Sequence, residues 1–162
     1  MPQVPFASLP DDARLWIFGA SEPLSADAGV ALLQVVDDYL AGWQAHGEPL
    51  TCGRDWREGR FLVIGVDQRT AGASGCSIDA LFRALQPLER RLGTTLLAGG
   101  RVFYRDAHGQ VQCVDRDTYA RRARAGVIDV ETPVFDTTLT TAGDYRARFE
   151  RPAASSWHAQ LV

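Results

Sequence analysis

The sequence predicts an α+β protein with a ferredoxin-like split βαβ core, and three observations lead to this prediction. Up to Arg105 the hydrophobic patterning runs strand, helix, strand, strand, helix, strand, the βαββαβ order of a two-layer sandwich. The first and third strands are apolar on both alternating faces, as the two central strands of that topology require. The length of 162 residues and the hydrophobic fraction of 46% suit a single domain over the whole chain.

The first elements are predicted from local signals. Residues 1–12 hold three prolines and are typical of an extended arm, and residues 14–20 form the first strand. Ser25 suits the N-cap of a helix over residues 26–46. The helix is predicted to bury one apolar stripe, formed by Leu33, Val36, Leu40 and Trp43. It is predicted to end at Gly47.

The second half of the core follows the same logic. An outer strand over residues 49–57 turns at Glu58-Gly59 into the third strand, residues 60–66. The next helix has one apolar face between Ile78 and Leu92 and contains Pro87, which should kink or split it. The helix is predicted to end at Gly93, and strands 101–105 and 110–114 follow around the hairpin loop 106–109. The C-terminal part, residues 106–162, contains this hairpin, a short helix over residues 116–125 and a β-rich extension over residues 127–162.

Composition narrows the class of protein. The net charge is −3 and the pI about 5.6, so no basic field favours nucleic acid or anionic lipid. The first residues do not resemble a secretory signal, and no apolar run is long enough to span a membrane. Three widely separated cysteines are not typical of a disulfide framework. We therefore expect a cytoplasmic protein without a membrane partner. All 17 basic residues are arginine, which excludes a Schiff-base or P-loop lysine. We predict no cofactor and no metal.

The helices should cover one face of the predicted sheet, and two interpretations remain open for the other. Trp16, Phe18, Phe61 and Val63 could form an aromatic platform that stacks single-stranded nucleic acid. Alternatively, the C-terminal residues after Val127 fold back and bury this face. We favour burial, because an exposed apolar patch of that size is unusual and the chain is acidic.

The segment Gly72–Asp79, GASGCSID, is the main candidate site. It joins a central strand to a helix, where backbone N–H groups and the helix dipole favour an anion or a thiolate at Cys76. Ser77 as N-cap and Asp79 in the first turn would explain the same residues without a ligand. If Cys76 is a nucleophile, His46 at the end of the first helix is the candidate base. Loop signatures of tyrosine phosphatases, P-loop enzymes and G-x-S-x-G hydrolases are absent.

Four segments together resemble a known family. They are RLWI at Arg14–Ile17, WQAHGEPL at Trp43–Leu50, SGCSID at Ser74–Asp79, and the late Ser156-Trp157. The chain resembles a small bacterial family of about this length whose members often carry the label "ABC transporter ATPase". The resemblance implies a single bacterial domain with three distinctive segments, which we hypothesise to converge on one site. It implies no catalytic residues, and the missing Walker lysine does not support the ATPase label.

We therefore predict a binding domain for a small molecule or a protein, without catalysis of its own, and with any pocket near Cys76. One alternative is a hydrolase or transferase that uses Cys76 with His46 as base, and another is nucleic-acid binding on the Trp16/Phe61 face. The candidate ligand-binding residues are Trp43, Ser74, Gly75, Ser77, Asp79 and Trp157.

Overall fold

The chain is an α+β protein that divides into two units. The computed structural model describes residues 3–69, 72–97 and 99–162. The first unit comprises Met1–Leu97 and Leu139–Tyr145, and the second comprises Ala98–Thr138 and Arg146–Val162. The single domain expected over residues 1–162 stays a prediction, since two units can form one domain. No helix in the described part of the chain is long and apolar enough to cross a bilayer.

The first unit holds one main sheet, one small hairpin and two long helices. Its elements are β1 (Arg14–Gly19), α1 (Ala26–Ala41), β2 (Gln44–Ala45), β3 (Glu48–Pro49), β4 (Thr51–Arg57), β5 (Phe61–Asp67) and α2 (Gly75–Leu92). The main sheet has the strand order β1-β5-β4 and both pairings are antiparallel. The tight turn predicted at Glu58-Gly59 is confirmed, with positive φ at both residues.

The central strand β5 is buried at all seven of its residues. On one face α1 and α2 cover the sheet, and this core includes Phe18, Leu62, Ile64, Leu32 and Leu81. In α1 the predicted stripe is confirmed at Val36 and Leu40, but Leu32 is buried in place of Leu33. In α2 the predicted apolar face is buried at Leu81, Leu85 and Leu88. The helix α2 runs through Pro87 as a single element, so the predicted split is wrong, whereas its predicted end at Gly93 is confirmed by a left-handed φ of 67°.

The other face of the sheet is covered by the N-terminal arm and residues 139–145. A Cβ on Gly65 of β5 would lie 2.7 Å from Leu9 Cδ1 and 3.3 Å from Phe6 Cε2, so the arm packs directly on the strand. Tyr145 contacts the ring of Phe6 and donates a 2.7 Å hydrogen bond to Asp55 of β4. The arm also contains a 3-10 turn, Phe6–Ser8, while Met1 and Pro2 of the predicted arm lie outside the described residues.

The predicted aromatic platform is wrong because its residues lie on opposite faces. Trp16 and Phe18 pair with Ile64 and Leu62 and face the helices, whereas Phe61 and Val63 are one position out of phase. Neighbouring residues of a strand point to opposite sides, so no single face can present both pairs. Phe61 is fully buried, which leaves no stacking surface there.

The second unit contains the strand that was predicted as the last of the ferredoxin-like core. Residues Arg101–Arg105 instead belong to a separate sheet, so the split βαβ arrangement is not confirmed. This second sheet has the order β7-β6-β8-β9. Its elements, with the helices that accompany them, are β6 (Arg101–Arg105), β7 (Val111–Asp115), α3 (Arg116–Arg124), β8 (Pro133–Phe135), α4 (Ala142–Arg148, which begins in the first unit) and β9 (Glu150–Pro152), followed by 3-10 turns at Ala153–Ser155 and Trp157–Leu161.

Candidate functional site

The turn that precedes α2 is fixed by reciprocal capping. Ser74, not Ser77, is the N-cap, and its Oγ accepts from the Ser77 N–H at 3.2 Å. Ser77 Oγ in turn accepts from the Ser74 N–H at 2.8 Å. Two backbone donors at the helix start are thereby satisfied from within the turn. The prediction that Ser77 is the N-cap was wrong because either serine could cap the helix. The reciprocal bonds between Ser74 and Ser77 form a capping box.

The corrected helix start moves Cys76 and Asp79. Cys76 lies inside the first turn of α2, directly after Gly75, and its side chain is exposed. Asp79 is also exposed, but the first turn contains no acidic residue, so its predicted place there is wrong. Because its side chain is exposed, Cys76 is accessible to reagents from solvent.

Trp43 connects the end of α1 to this turn. Its indole Nε1 donates a buried 3.0 Å hydrogen bond to the Ser77 carbonyl oxygen. The ring lies just beyond α1, not within it as predicted, and contacts Trp16 edge-on and Tyr39 at a tilt. Trp43 and Ser77, two of the predicted ligand-binding residues, are therefore in contact, while their part in binding stays a prediction. Their contact is a structural bond that positions the start of α2.

His46 occupies a hairpin turn instead of a helix end. The helix α1 stops at Ala41, and β2 and β3 pair around His46-Gly47, where φ is 52° and 79°. This is the type I′ pattern, which needs a positive φ at both turn residues. Gly47 was predicted as a helix terminator, but a positive φ serves a hairpin equally well. The side chain of His46 is exposed.

The predicted Cys76–His46 pair is not joined by a hydrogen bond. Within residues 3–69 and 72–97, both side chains are exposed and no hydrogen bond connects them. The bond from Trp43 to Ser77 nevertheless ties the segment that leads to His46 to the residue next to Cys76. The catalytic pair therefore stays a hypothesis.

Trp157 belongs to the second unit and lies half-buried in a 3-10 turn. The Trp157 ring stacks on the His158 ring with their centroids 4.0 Å apart. The Arg116 guanidinium lies over the Trp157 ring, 5.1 Å from its centroid. These contacts combine stacking with a cation–π interaction. Trp157 is thus part of a local aromatic and cationic group in its own unit.

His158, which follows Trp157, was not selected from the sequence. Ser156 Oγ and His158 Nδ1 are 2.7 Å apart, and both residues are buried. Burial lowers the pKa of His158 to about 4; Asp136 opposes this shift, while Arg151 and Arg116 add to it. The only signal in the sequence was the spacing Ser-x-His, which many unrelated turns share.

A pocket lies at the end of α2 that is remote from Cys76. It has a volume of about 560 Å³ and is open to solvent. Its lining combines hydroxyl groups, two carboxylates and one guanidinium, from Ser21, Glu22, Glu89, Arg90, Gly93, Thr94 and Thr95. The prediction expected a pocket near Cys76, and this one was missed because it joins segments more than 70 residues apart in sequence.

Comparison with known proteins gives no relative: no family model, no curated protein and no solved structure matches the chain. The resemblance to the small bacterial family therefore stays a prediction.

Cys76 and Cys52 should differ in their reaction with iodoacetamide. Cys76 is exposed, whereas Cys52 is buried and burial raises its pKa to about 12. We expect native protein at neutral pH to be alkylated first at Cys76, with Cys52 unmodified until the chain unfolds. Peptide mass spectrometry over a time course measures this order. Cys76→Ser should remove the fast phase, and equal rates at Cys52 and Cys76 would contradict the structure.

The buried His158 should make the protein less stable in mild acid. Its folded pKa of about 4 lies below the unfolded value of 6.5, so the unfolded chain binds the extra proton. The free energy of unfolding is unaffected by His158 above pH 6.5, where the residue is neutral in both states. It falls as the pH drops from 6.5 towards 4, by up to about 3 kcal/mol. Urea unfolding between pH 7 and 4 measures the loss. His158→Gln should flatten the pH dependence, and an unchanged slope would refute the assignment.

Proposed function

We propose that the protein is a binding protein without catalysis of its own, and that the pocket at the end of α2 takes a small zwitterion. The observation that carries this proposal is the lining of the pocket, which combines opposite charges with several hydroxyl groups. Small-molecule sites commonly combine a preformed concave surface with a few polar groups that fix orientation. A cytoplasmic location remains the expectation from the sequence.

The hydroxyl-bearing residues of the pocket are held in place by bonds between distant segments. Thr94 Oγ1 accepts from the Glu22 N–H at 3.0 Å and lies 3.3 Å from Ser21 Oγ. Ser21 Oγ also accepts from the Thr95 N–H at 3.0 Å. Arg60, a buried side chain from the turn before β5, donates to the Ser21 carbonyl oxygen at 2.6 Å. This network preorganises the site, which reduces the entropy lost on binding.

The carboxylate of Glu89 is used for structure and not for binding. Its Oε2 accepts from the backbone N–H groups of Leu96 and Leu97, at 2.6 and 3.2 Å. These bonds satisfy the chain just after α2 ends and hold it beside the pocket.

Glu22 and Arg90 remain as the charged groups that can face a ligand. Both residues are exposed, and neither side chain has a hydrogen bond or ion pair to the residues that the structure describes. A carboxylate attracts an ammonium group and a guanidinium can bind a carboxylate in a bidentate way. A molecule with both groups, such as an amino acid, matches this pair of charges.

Chemistry at Cys76 is a second candidate function. It is supported by the exposed thiol in the first turn of α2 and by the bond that ties the His46 segment to that turn. A hydrolase or transferase of this kind would need His46 to approach the thiol during the reaction. The alkylation order above tests whether the thiol is accessible. The chemistry would be tested by incubating the protein with an activated acyl ester and looking by mass spectrometry for an acyl group on Cys76 that is absent from Cys76→Ser.

The pocket should bind amino acids and lose affinity when either charge is removed. We expect thermal denaturation to show stabilisation by at least one standard amino acid, because a ligand that binds the folded state raises its stability. Glu22→Gln and Arg90→Gln should each weaken binding about tenfold in calorimetry, the usual effect of one lost charge-assisted bond.

Matched controls separate the pocket from the general charge of the surface. Glu48→Gln and Arg91→Gln remove the same charges from exposed positions outside the pocket lining, and both should bind like the parent protein. If no amino acid stabilises the protein, or if control and pocket variants lose affinity equally, the proposal is wrong.

A further inference from the structure

The outer edge of β1 is closed by a segment from much later in the chain, residues 139–145, which we call the strap. The Leu15 N–H donates to the Thr140 carbonyl oxygen at 2.8 Å, and Arg14 forms an antiparallel bridge with Thr141. Since β1 is the last strand on its side of the sheet, this pairing covers backbone groups that could otherwise pair with a strand of another chain.

Side chains also hold the strap against the first unit. Tyr145 is buried, and its hydroxyl donates to the Asp55 carboxylate of β4 at 2.7 Å. The Tyr145 ring contacts the Phe6 ring edge-on, with their centroids 5.6 Å apart. Gly143 lies so close to the arm that a Cβ there would be 3.0 Å from the Asp11 Cβ. The strap is therefore fitted to this edge by backbone and side-chain contacts alike.

Both ends of the strap continue into the second unit. The strands β8 and β9 pair antiparallel, and the strap lies in the connection between them. At the base of this connection the Asp136 N–H donates to the Phe149 carbonyl oxygen at 2.9 Å, and the Phe149 ring lies 5.6 Å from that of Phe135. Folding of the second unit therefore brings the two ends of the loop together. A shorter free loop loses less entropy when its tip binds.

We propose that the strap is the device by which the second unit closes the β1 edge of the first. While the second unit is folded, the ends of the loop are paired and the strap is bound. When the second unit unfolds, the strap is released and the outer edge of β1 opens, while β1 stays paired with β5. The strap shares no residue with the lining of the zwitterion pocket, and its role does not depend on ligand binding there.

Amide hydrogen exchange in the full-length protein tests this role at Leu15. The Leu15 N–H points to the strap, whereas the next amide, that of Trp16, points to β5. Val134→Ala removes two methyl groups from the core of the second unit, where Val134 is fully buried. We expect exchange at Leu15 to become faster by the same factor as exchange in β6, about tenfold, and exchange at Trp16 to stay at the parent rate. Unchanged exchange at Leu15, or an equal rise at Leu15 and Trp16, overturns the proposal.

A change in the strap itself gives the converse test. Tyr145→Phe removes the hydroxyl that is bonded to Asp55 and should speed exchange at Leu15 about tenfold. Because coupling between two parts of a protein is reciprocal, exchange in β9 should rise by the same factor. The matched variant Tyr39→Phe, on the opposite face of the sheet, should change neither. Faster exchange at Leu15 with parent-like exchange in β9 would show that the strap binds independently of the second unit, which refutes the coupling.

A glycine pair gives the same answer if Tyr145→Phe does not fold. Gly143→Ala places a methyl group against Asp11 and should open the strap, whereas Gly42→Ala adds the same group where no atom lies within 4 Å. Only Gly143→Ala should speed exchange at Leu15 and in β9 together, and parent-like exchange at both places in Gly143→Ala would contradict the close fit of the strap.

Discussion

Burial of β5 on both faces is the constraint on which the first unit depends. Every residue of this strand is inaccessible or nearly so, and it is hydrogen-bonded to β1 on one side and β4 on the other. A strand of this kind needs two apolar covers, because each face would otherwise expose a patch that favours association. The helices form one cover, and the arm with Phe6 and Leu9 forms the other.

The helix cover also determines where chemistry can occur. The helix α2 has 18 residues and is therefore about 27 Å long, so its two ends form separate environments. The N-terminal end presents Cys76 beside a turn fixed by capping and by Trp43. The C-terminal end borders the pocket, where Thr94 is bonded to the segment that follows β1. One buried stripe on α2 thus holds both candidate sites in place.

Local signals predicted the elements better than their partners. The burial of the third strand on both faces, the Glu58-Gly59 turn and the end of α2 at Gly93 follow from apolar patterning and glycine geometry. The first strand, which was predicted to be central, lies at the edge of its sheet. The pairing of Arg101–Arg105 could not be predicted, because a short apolar strand fits either sheet and its partner is set by distant residues. His46 was misplaced because Gly47 suits a helix end and a hairpin alike. The pocket around Thr94 and the buried group around His158 depend on contacts that no spacing in the sequence reveals.

Amide hydrogen exchange in β5 tests the central claim most directly. If both faces of the strand are covered and both edges are paired, the amides of Phe61–Val66 can exchange only when the first unit unfolds. Their opening free energies should therefore equal the free energy of unfolding measured in denaturant, and should exceed those of the arm. Opening of the β5 amides at a markedly lower free energy, with the rest of the unit still protected, would contradict this account.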